Sequence, residues 1–307
     1  MRIIHGAGEL NLPEHKICLA IGFFDGVHLG HQQIIRQTIA DAHRHEGLSL
    51  VVTFDCHPSS VVAPQRVPPL IYSLPQKLRV IESLGAGALL LIHFDKTFSE
   101  QTGEAFIRGL ARDLGQIQSL CVGSNFTFGH KRGGNVELLK TLGEELHFAV
   151  HGLAAVSLAG RVVSSTRIRE TIRAGDVDAA SQMLGRAYSL SGKIVRGDQL
   201  GRKLGFPTAN LDVTGLVLPP NGVYTVQARV RGQTLRGVVN IGSRPTLQSA
   251  VPQVRVEAHL LDFQDDVYGE EMEITFRRKL RDEKQFPSLA ALQGQITRDI
   301  AEARLSF

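Results

Sequence analysis

The chain has 307 residues, 43% of them hydrophobic and 21% charged, and its 34 basic and 30 acidic side chains leave a net charge of +4. That length suggests two domains, the apolar fraction is ordinary for a globular protein, and so slight a positive balance carries no argument for nucleic acid. No apolar run is long enough to span a bilayer, the opening MRIIHGAGELNLPEHK lacks the basic-then-apolar pattern of a signal peptide, and the scattered Cys18, Cys56 and Cys121 form neither a disulfide framework nor a CxxC zinc pair, so a cytoplasmic protein is expected.

The first elements are apolar almost throughout: ICLAIG (17–22), LSLVVTF (48–54), ALLLIHF (88–94) and SLCVG (119–123). Such runs predict strands of a parallel sheet covered on both faces. Between the first two, GHQQIIRQTIADAHRHEG sets Ile34, Ile35, Ile39 and Ala42 on one helical face. Between the next two, SLPQKLRVIESLG opens at Ser73 and closes on a glycine. Strands alternating with helices predict a doubly wound α/β domain over residues 1–186, with the helical DVDAASQMLGR (176–186) as connector.

Beyond residue 187 the pattern changes. YTVQARV, LRGVVNI, VRVEAHLL and EMEITF alternate or are β-branched and are separated by turn residues without helices, which predicts an antiparallel barrel or sandwich. SLAALQGQITRDIAEARL then restores a helical period through Leu289, Leu292, Ile296 and Ile300. There is no internal repeat, and VAPQRVPPL (62–70) is the one proline-dense loop.

Ligands of open parallel sheets bind beyond the C-terminal strand ends, and GFFDGVHLGHQ follows the first predicted strand. Its glycines allow close backbone approach, and the following helix offers N–H groups to an anion. A zinc reading of His28 and His31 lacks a third ligand. HLGH resembles the HxGH signature of the nucleotidylyltransferase superfamily, and the wider segment resembles its flavin adenylyltransferase branch. TFDCHP (53–58), with Cys56 where proline is usual, GSNFTFGHKRGG (123–134) and VSSTRIRE (163–170) are similar to further motifs of that branch, in the same order. The resemblance implies that His28 and His31 are catalytic contacts to the ATP phosphates, flanked by Gly22, Phe24, Asp25 and Gly30. By the same resemblance, Ser165, Thr166 and Arg169 hold the leaving phosphates, and His57, Asn125, Phe126 and Phe128 form the flavin site. Taken singly, each phenylalanine reads equally well as core.

In the second half, GDQLGRKLGFPTANL (197–211) resembles the riboflavin kinase signature. Gly201, Arg202, Lys203 and Gly205 form a basic, glycine-bearing turn suited to phosphate, and the side-chain oxygens of Thr208 and Asn210 suit magnesium. In VRVEAHLL, Glu257 shares its parity with Arg255 and His259, away from the apolar face. The resemblance makes Glu257 the general base for the riboflavin 5′-hydroxyl.

Together the motifs cover nearly the whole chain and are similar to the prokaryotic bifunctional riboflavin kinase and FMN adenylyltransferase family. They imply a Rossmann-like nucleotidylyltransferase domain (1–186) and a six-stranded Greek-key split barrel with a C-terminal helix (187–307), the riboflavin kinase domain. Riboflavin would become FMN and then FAD, with ATP as co-substrate and Mg²⁺ as cofactor. The partners expected are these small molecules, with no nucleic acid and no membrane, and a homo-oligomer stays open. The alternatives are a kinase with an inactive first domain and a non-catalytic flavin-binding regulator.

Overall fold

The computed structural model describes residues 1–10, 16–197, 201, 204–244 and 253–306. In it, β1 (Arg2–Ile4), β2 (Ile17–Ile21), β3 (Leu48–Phe54), β4 (Ala88–Ile92), β5 (Ile117–Gly123) and β6 (Ala149–Leu153) form one parallel sheet in the order β1-β4-β3-β2-β5-β6. The unbroken apolarity of the central strands has a direct cause, since successive residues serve two cores. Leu19, Ile21, Leu50 and Val52 join Ile107, Leu110, Leu139 and Leu142 from the helices Gly103–Leu114 and Val136–Leu146 on one face. Ala20 and Val51 meet Ile34, Ile35 and Ile81 from the helices Leu29–Arg44 and Leu74–Ser83 on the other.

Connections from β2 run one way to β3 and β4, and those from β5 run the other way to β6. The reversal lies between the neighbours β2 and β5, and a crevice at such a point is where open α/β sheets bind ligands. The edge strands β1 and β6 escaped the sequence reading. One is only three residues long, and the other, AVHGL, contains histidine and glycine and has no buried residue.

After a two-stranded hairpin of β7 (Ser157–Leu158) and β8 (Arg161–Val162), the second architecture is a closed barrel of β9 (Ser189–Val195), β10 (Ala209–Leu211), β11 (Gly222–Val230), β12 (Gln233–Arg244), β13 (Gln253–Leu260) and β14 (Glu271–Arg281). Its order is β10-β13-β12-β11-β14-β9, antiparallel throughout. The helix Leu289–Leu305 lies on its outer wall, where Ala303 packs with Val223 and Val238.

The chain divides into two units, Met1–Arg167 and Ile168–Phe307, and the division falls inside the helix Ser165–Arg173, ahead of the expected boundary at residue 186. The connector helix Val177–Leu184 goes with the barrel because the Tyr188 N–H donates to Ser181 Oγ (2.9 Å) and the Tyr188 hydroxyl to the Val217 carbonyl (2.8 Å).

Candidate active sites

The loop after β2 is strained and heavily braced. Phe24 (φ 55°) and Val27 (φ 40°) both occupy the left-handed region, which costs a non-glycine residue about 1–3 kcal/mol each. Three ties hold that conformation. The Asp25 carboxylate is buried and accepts the N–H groups of Ile71 (3.0 Å) and Tyr72 (3.3 Å). The Gln32 amide donates to the Val27 carbonyl (2.9 Å), and the Ser165 hydroxyl donates to the Asp25 carbonyl (3.1 Å). The Asp25 side chain therefore shapes the loop.

His28 caps the helix Leu29–Arg44, its Nδ1 accepting the His31 N–H at 3.4 Å. The two imidazoles stack with centroids 3.6 Å apart and planes 18° from parallel, and the Phe24 ring meets His31 edge-on at 5.3 Å. Lone pairs of near-parallel rings cannot converge on one metal ion at bonding distance, whereas such rings can serve neighbouring oxygens of a polyphosphate. Close approach explains two glycines. A Cβ at Gly22 would lie 2.8 Å from the Phe24 ring, and one at Gly30 would lie 3.2 Å from the His28 ring.

Two other motifs of this unit touch that loop, through His57 and Ser165. His57 presents its ring to the edge of Phe23 at 4.8 Å and accepts the Ser59 N–H at Nδ1 (3.1 Å). Its neighbour Asp55 accepts the Phe94 N–H (3.1 Å) and pairs with His93 Nδ1 (2.6 Å). Burial pushes the Asp55 carboxyl up, but the bonds to His93 and Phe94 outweigh it and leave it below its usual range. Cys56, in the unusual position, donates its thiol to the Phe94 carbonyl (3.4 Å), adding a tie to the same residue, and burial pushes that thiol up and so keeps it protonated.

After β5, the strand beside β2, Asn125 is exposed. Phe126 and Phe128 are half-buried, stacked on each other at 5.3 Å and packed against the sheet's core, so core packing accounts for much of both. Ser164 opens the next helix by accepting the Arg167 N–H (3.2 Å). Ser165 reaches the first loop, Thr166 is exposed, and Arg169, one turn further along, is buried. One residue outside any motif touches the same loop: Lys77 bonds to Phe23, just beyond β2, and to the end of β3. The available signal was a lysine among Leu74, Leu78 and Ile81, on the apolar stripe of its helix.

The barrel unit carries a cavity of about 310 Å³ between its outer wall and the helix Leu289–Leu305. The strand registers explain which residues face it. Asn210 pairs with Glu257, Glu257 with Asn240, Asn240 with Val223, and Val223 with Arg281, and all five line the cavity. They form one row around the wall, while Val256, Ala258, Val239 and Ile241 fill the interior. Thr208, two residues before Asn210, shares its parity and also lines the cavity, beside Gly201. Gly205 lies in an exposed turn with φ +85°, and Arg202 and Lys203 lie outside the described residues.

Leu292 and Ile296 line the cavity, Ile300 lines it while packing against Val223, Val238 and Ala303, and Leu289 is 60% exposed. The face that carries the helical period is therefore partly a wall with open space before it. What fixes that wall is the buried Asp299, which takes the Arg281 guanidinium in a fork at 2.7–3.0 Å and the Gln295 amide at 2.7 Å. Asn240, His259 and Arg281 are cavity residues that the motifs missed; the parity of Asn240 against Val239 and Ile241 was the readable clue.

The family model of FAD synthetase matches residues 11–167 and that of riboflavin kinase residues 184–307. Bifunctional riboflavin kinase/FMN adenylyltransferases of Haemophilus influenzae and Escherichia coli K12 are 34% and 35% identical, each comparison covering 100% of this chain and 99% and 98% of the relative. The one from Pseudomonas fluorescens is 36% identical over 99% of this chain and 97% of its own. A crystal structure described as a macrolide-efflux protein from Streptococcus pneumoniae superposes with a TM-score of 0.83 and 27% identity, covering 98% of both chains. Among the described residues of this chain no helix is long and apolar enough to cross a membrane. A strained HxGH loop at the switch point of a parallel sheet, a Thr-Ala-Asn strand facing a glutamate on a barrel wall, and full-length likeness at about 35% identity agree, and the chain belongs to the bifunctional riboflavin kinase/FMN adenylyltransferase family.

Proposed function

We propose that the two reactions divide between the two sites: riboflavin is phosphorylated at the barrel cavity, and FMN is adenylylated at the crevice between β2 and β5. The observation that carries this reading is the row Asn210–Glu257–Asn240 on the cavity wall, where a carboxylate capable of taking a proton faces open space of flavin-ring scale. Riboflavin's 5′-hydroxyl is a weak nucleophile, and Glu257 accepts its proton as the oxygen attacks the γ-phosphorus of ATP and ADP leaves. Leu292, Ile296 and Ile300 offer an apolar wall for the isoalloxazine.

The donor set at Thr208 and Asn210, a hydroxyl and an amide oxygen, fits a hard cation, and both residues face the cavity. Among the described residues no cluster of three His, Cys, Asp or Glu forms a self-sufficient metal site, so these two residues would hold magnesium jointly with the nucleotide's phosphates. Bound there, the ion would neutralise charge on the phosphates of ATP.

At the crevice the nucleophile is the FMN phosphate, already anionic, which attacks the α-phosphorus of ATP as pyrophosphate leaves. No base is needed, and the residues there align the reactants and meet the spreading negative charge. His28 and His31 contact the ATP phosphates, Ser165, Thr166 and Arg169 take the leaving pyrophosphate, and Asn125 with His57, Phe126 and Phe128 borders the flavin. The three free cysteines fit a reducing, cytoplasmic setting.

Chromatography of purified protein with riboflavin, ATP and magnesium tests the scheme. FMN should rise first and then give way to FAD. FMN that accumulates without FAD would leave the kinase assignment standing and remove the one built on His28 and His31.

A further inference from the structure

Lys77 is 4% exposed, in the helix Leu74–Ser83. All three of its ammonium protons have acceptors: the Phe23 carbonyl (3.2 Å), Thr53 Oγ1 (3.2 Å) and the Phe54 carbonyl (2.9 Å). The nitrogen also stands 4.5 Å from the centroid of the Phe23 ring, whose edge meets His57. Phe23 begins the loop that carries His28 and His31, and Thr53 and Phe54 end the strand that leads to His57. Thr53 adds its own bond to the Phe23 carbonyl (3.1 Å).

A buried ammonium is costly, and none of these three acceptors is a carboxylate that would offset the cost directly. A neutral side chain of similar length would pack more cheaply. What the charge adds is three charge-assisted bonds fanning out to two separate strand ends, which no neutral side chain at this position can make.

We propose that Lys77 is a positioning residue for adenylyl transfer: its ammonium locks the loop bearing His28 and His31 to the loop bearing His57, and FAD forms rapidly only while all three bonds are made. The proposal rests on the assignment of adenylyl transfer to this crevice. A neutral amine has two protons and cannot serve three acceptors, so the clamp is sensitive to pH. Burial lowers the Lys77 pKa to about 8, against the opposing pull of Asp25, Asp55 and Cys56. These charged or titratable groups come from the first loop and from the segment after β3, where Asp55 is paired with His93 and His57 lies behind Phe23. The clamp is closed below about pH 8 and opens as pH rises through it.

The test follows FMN-to-FAD conversion across the alkaline range in the full-length wild type, Lys77→Met, Lys77→Arg and His28→Ala, with riboflavin-to-FMN conversion by the same preparations as the reference. Lys77→Met should lower kcat for FAD roughly a hundredfold, the scale set by misplacing reacting groups by about 1 Å, with KM for ATP and the kinase rate little changed. Wild-type kcat should fall above about pH 8. Lys77→Arg, which stays charged, should recover activity and push that fall to higher pH. Lys77→Met with near-normal kcat overturns the proposal, as does an alkaline limb identical in wild type and Lys77→Arg. If Lys77→Met fails to fold its unit, the comparison of wild type with Lys77→Arg decides. Should His28→Ala still make FAD, the crevice assignment itself fails; should His28→Ala lose it while Lys77→Met does not, only the role of Lys77 falls.

Discussion

The Ser165 hydroxyl donates to the main-chain oxygen of Asp25 at 3.1 Å, joining residues 140 positions apart. Two motifs at opposite ends of the first unit, one proposed for ATP and one for the leaving pyrophosphate, thus share a hydrogen bond.

Ser165→Ala removes that bond and a hydroxyl proposed to serve the leaving phosphates. At a net ~1 kcal/mol per neutral hydrogen bond, kcat for FAD should fall about fivefold or more, and Ser165→Thr should retain most of the rate. Steady-state FAD formation measures both, and an unchanged rate in Ser165→Ala would mean that the tie is idle.

Glu257→Gln keeps the shape of the cavity wall and removes the proposed base. FMN formation from riboflavin should drop by about 10²- to 10⁴-fold, the usual worth of general-base catalysis, while supplied FMN is still converted to FAD. His28→Ala should give the converse. Equal loss of both activities in either variant would refute the division of labour.

Asp299 accepts three bonds from Arg281 and one from Gln295 while almost fully buried. Asp299→Ala strands the guanidinium and should cost the barrel unit about 3–5 kcal/mol, read as a lower denaturant midpoint. Because the same pair anchors the cavity's outer wall, the KM for riboflavin should rise as well. A variant as stable as wild type would show that the fork contributes nothing net.

Excess EDTA should stop FMN formation, and added magnesium should restore it. Thr208→Ala should raise the magnesium concentration needed for half-maximal rate. Full kinase activity in EDTA would dispose of the assignment of Thr208 and Asn210.

Lys77 also makes a thermodynamic prediction opposite in sign to its kinetic one. Its folded pKa, about 8, lies below the ordinary 10.5, so between those values the unfolded chain binds more protons than the folded one. This group's contribution to stability therefore rises with pH across that window. Relative to Lys77→Met, the melting of the first unit should strengthen above pH 8 while FAD synthesis weakens. A parallel loss of stability would identify the alkaline limb with unfolding.

The strands buried on two faces, β2 to β5, were legible because each of their residues answers to a core. So was the outward parity of Glu257, which needs only the period of two. β9 and β10 were not legible: β9 is interrupted by Gly192 and Lys193, and β10 is three residues long, sustained by neighbours on both sides. The motifs gave His28, His31 and Ser165 separately, but the link of Ser165 to their loop through Asp25 depends on a backbone carbonyl, which no residue type reveals. Lys77 was missed for a related reason, because its acceptors are mostly main-chain atoms. Leu292, Ile296 and Ile300 carried the periodicity of a core face, and periodicity cannot distinguish a surface packed on protein from one facing an empty cavity.

The closed barrel has a consequence for how this enzyme can change. With no edge strand to protect and an interior filled from one parity, much of its stability rests on Val256, Ala258, Val239 and Ile241, and the chemistry proposed for it rests on the alternate positions, where the Arg281–Asp299 fork is the structural exception. Substitutions at an outward position such as Asn240 can therefore be sampled by mutation at less risk to folding than those of the interior. The outer wall is a surface on which selection can retune the choice of flavin or nucleotide, one side chain at a time.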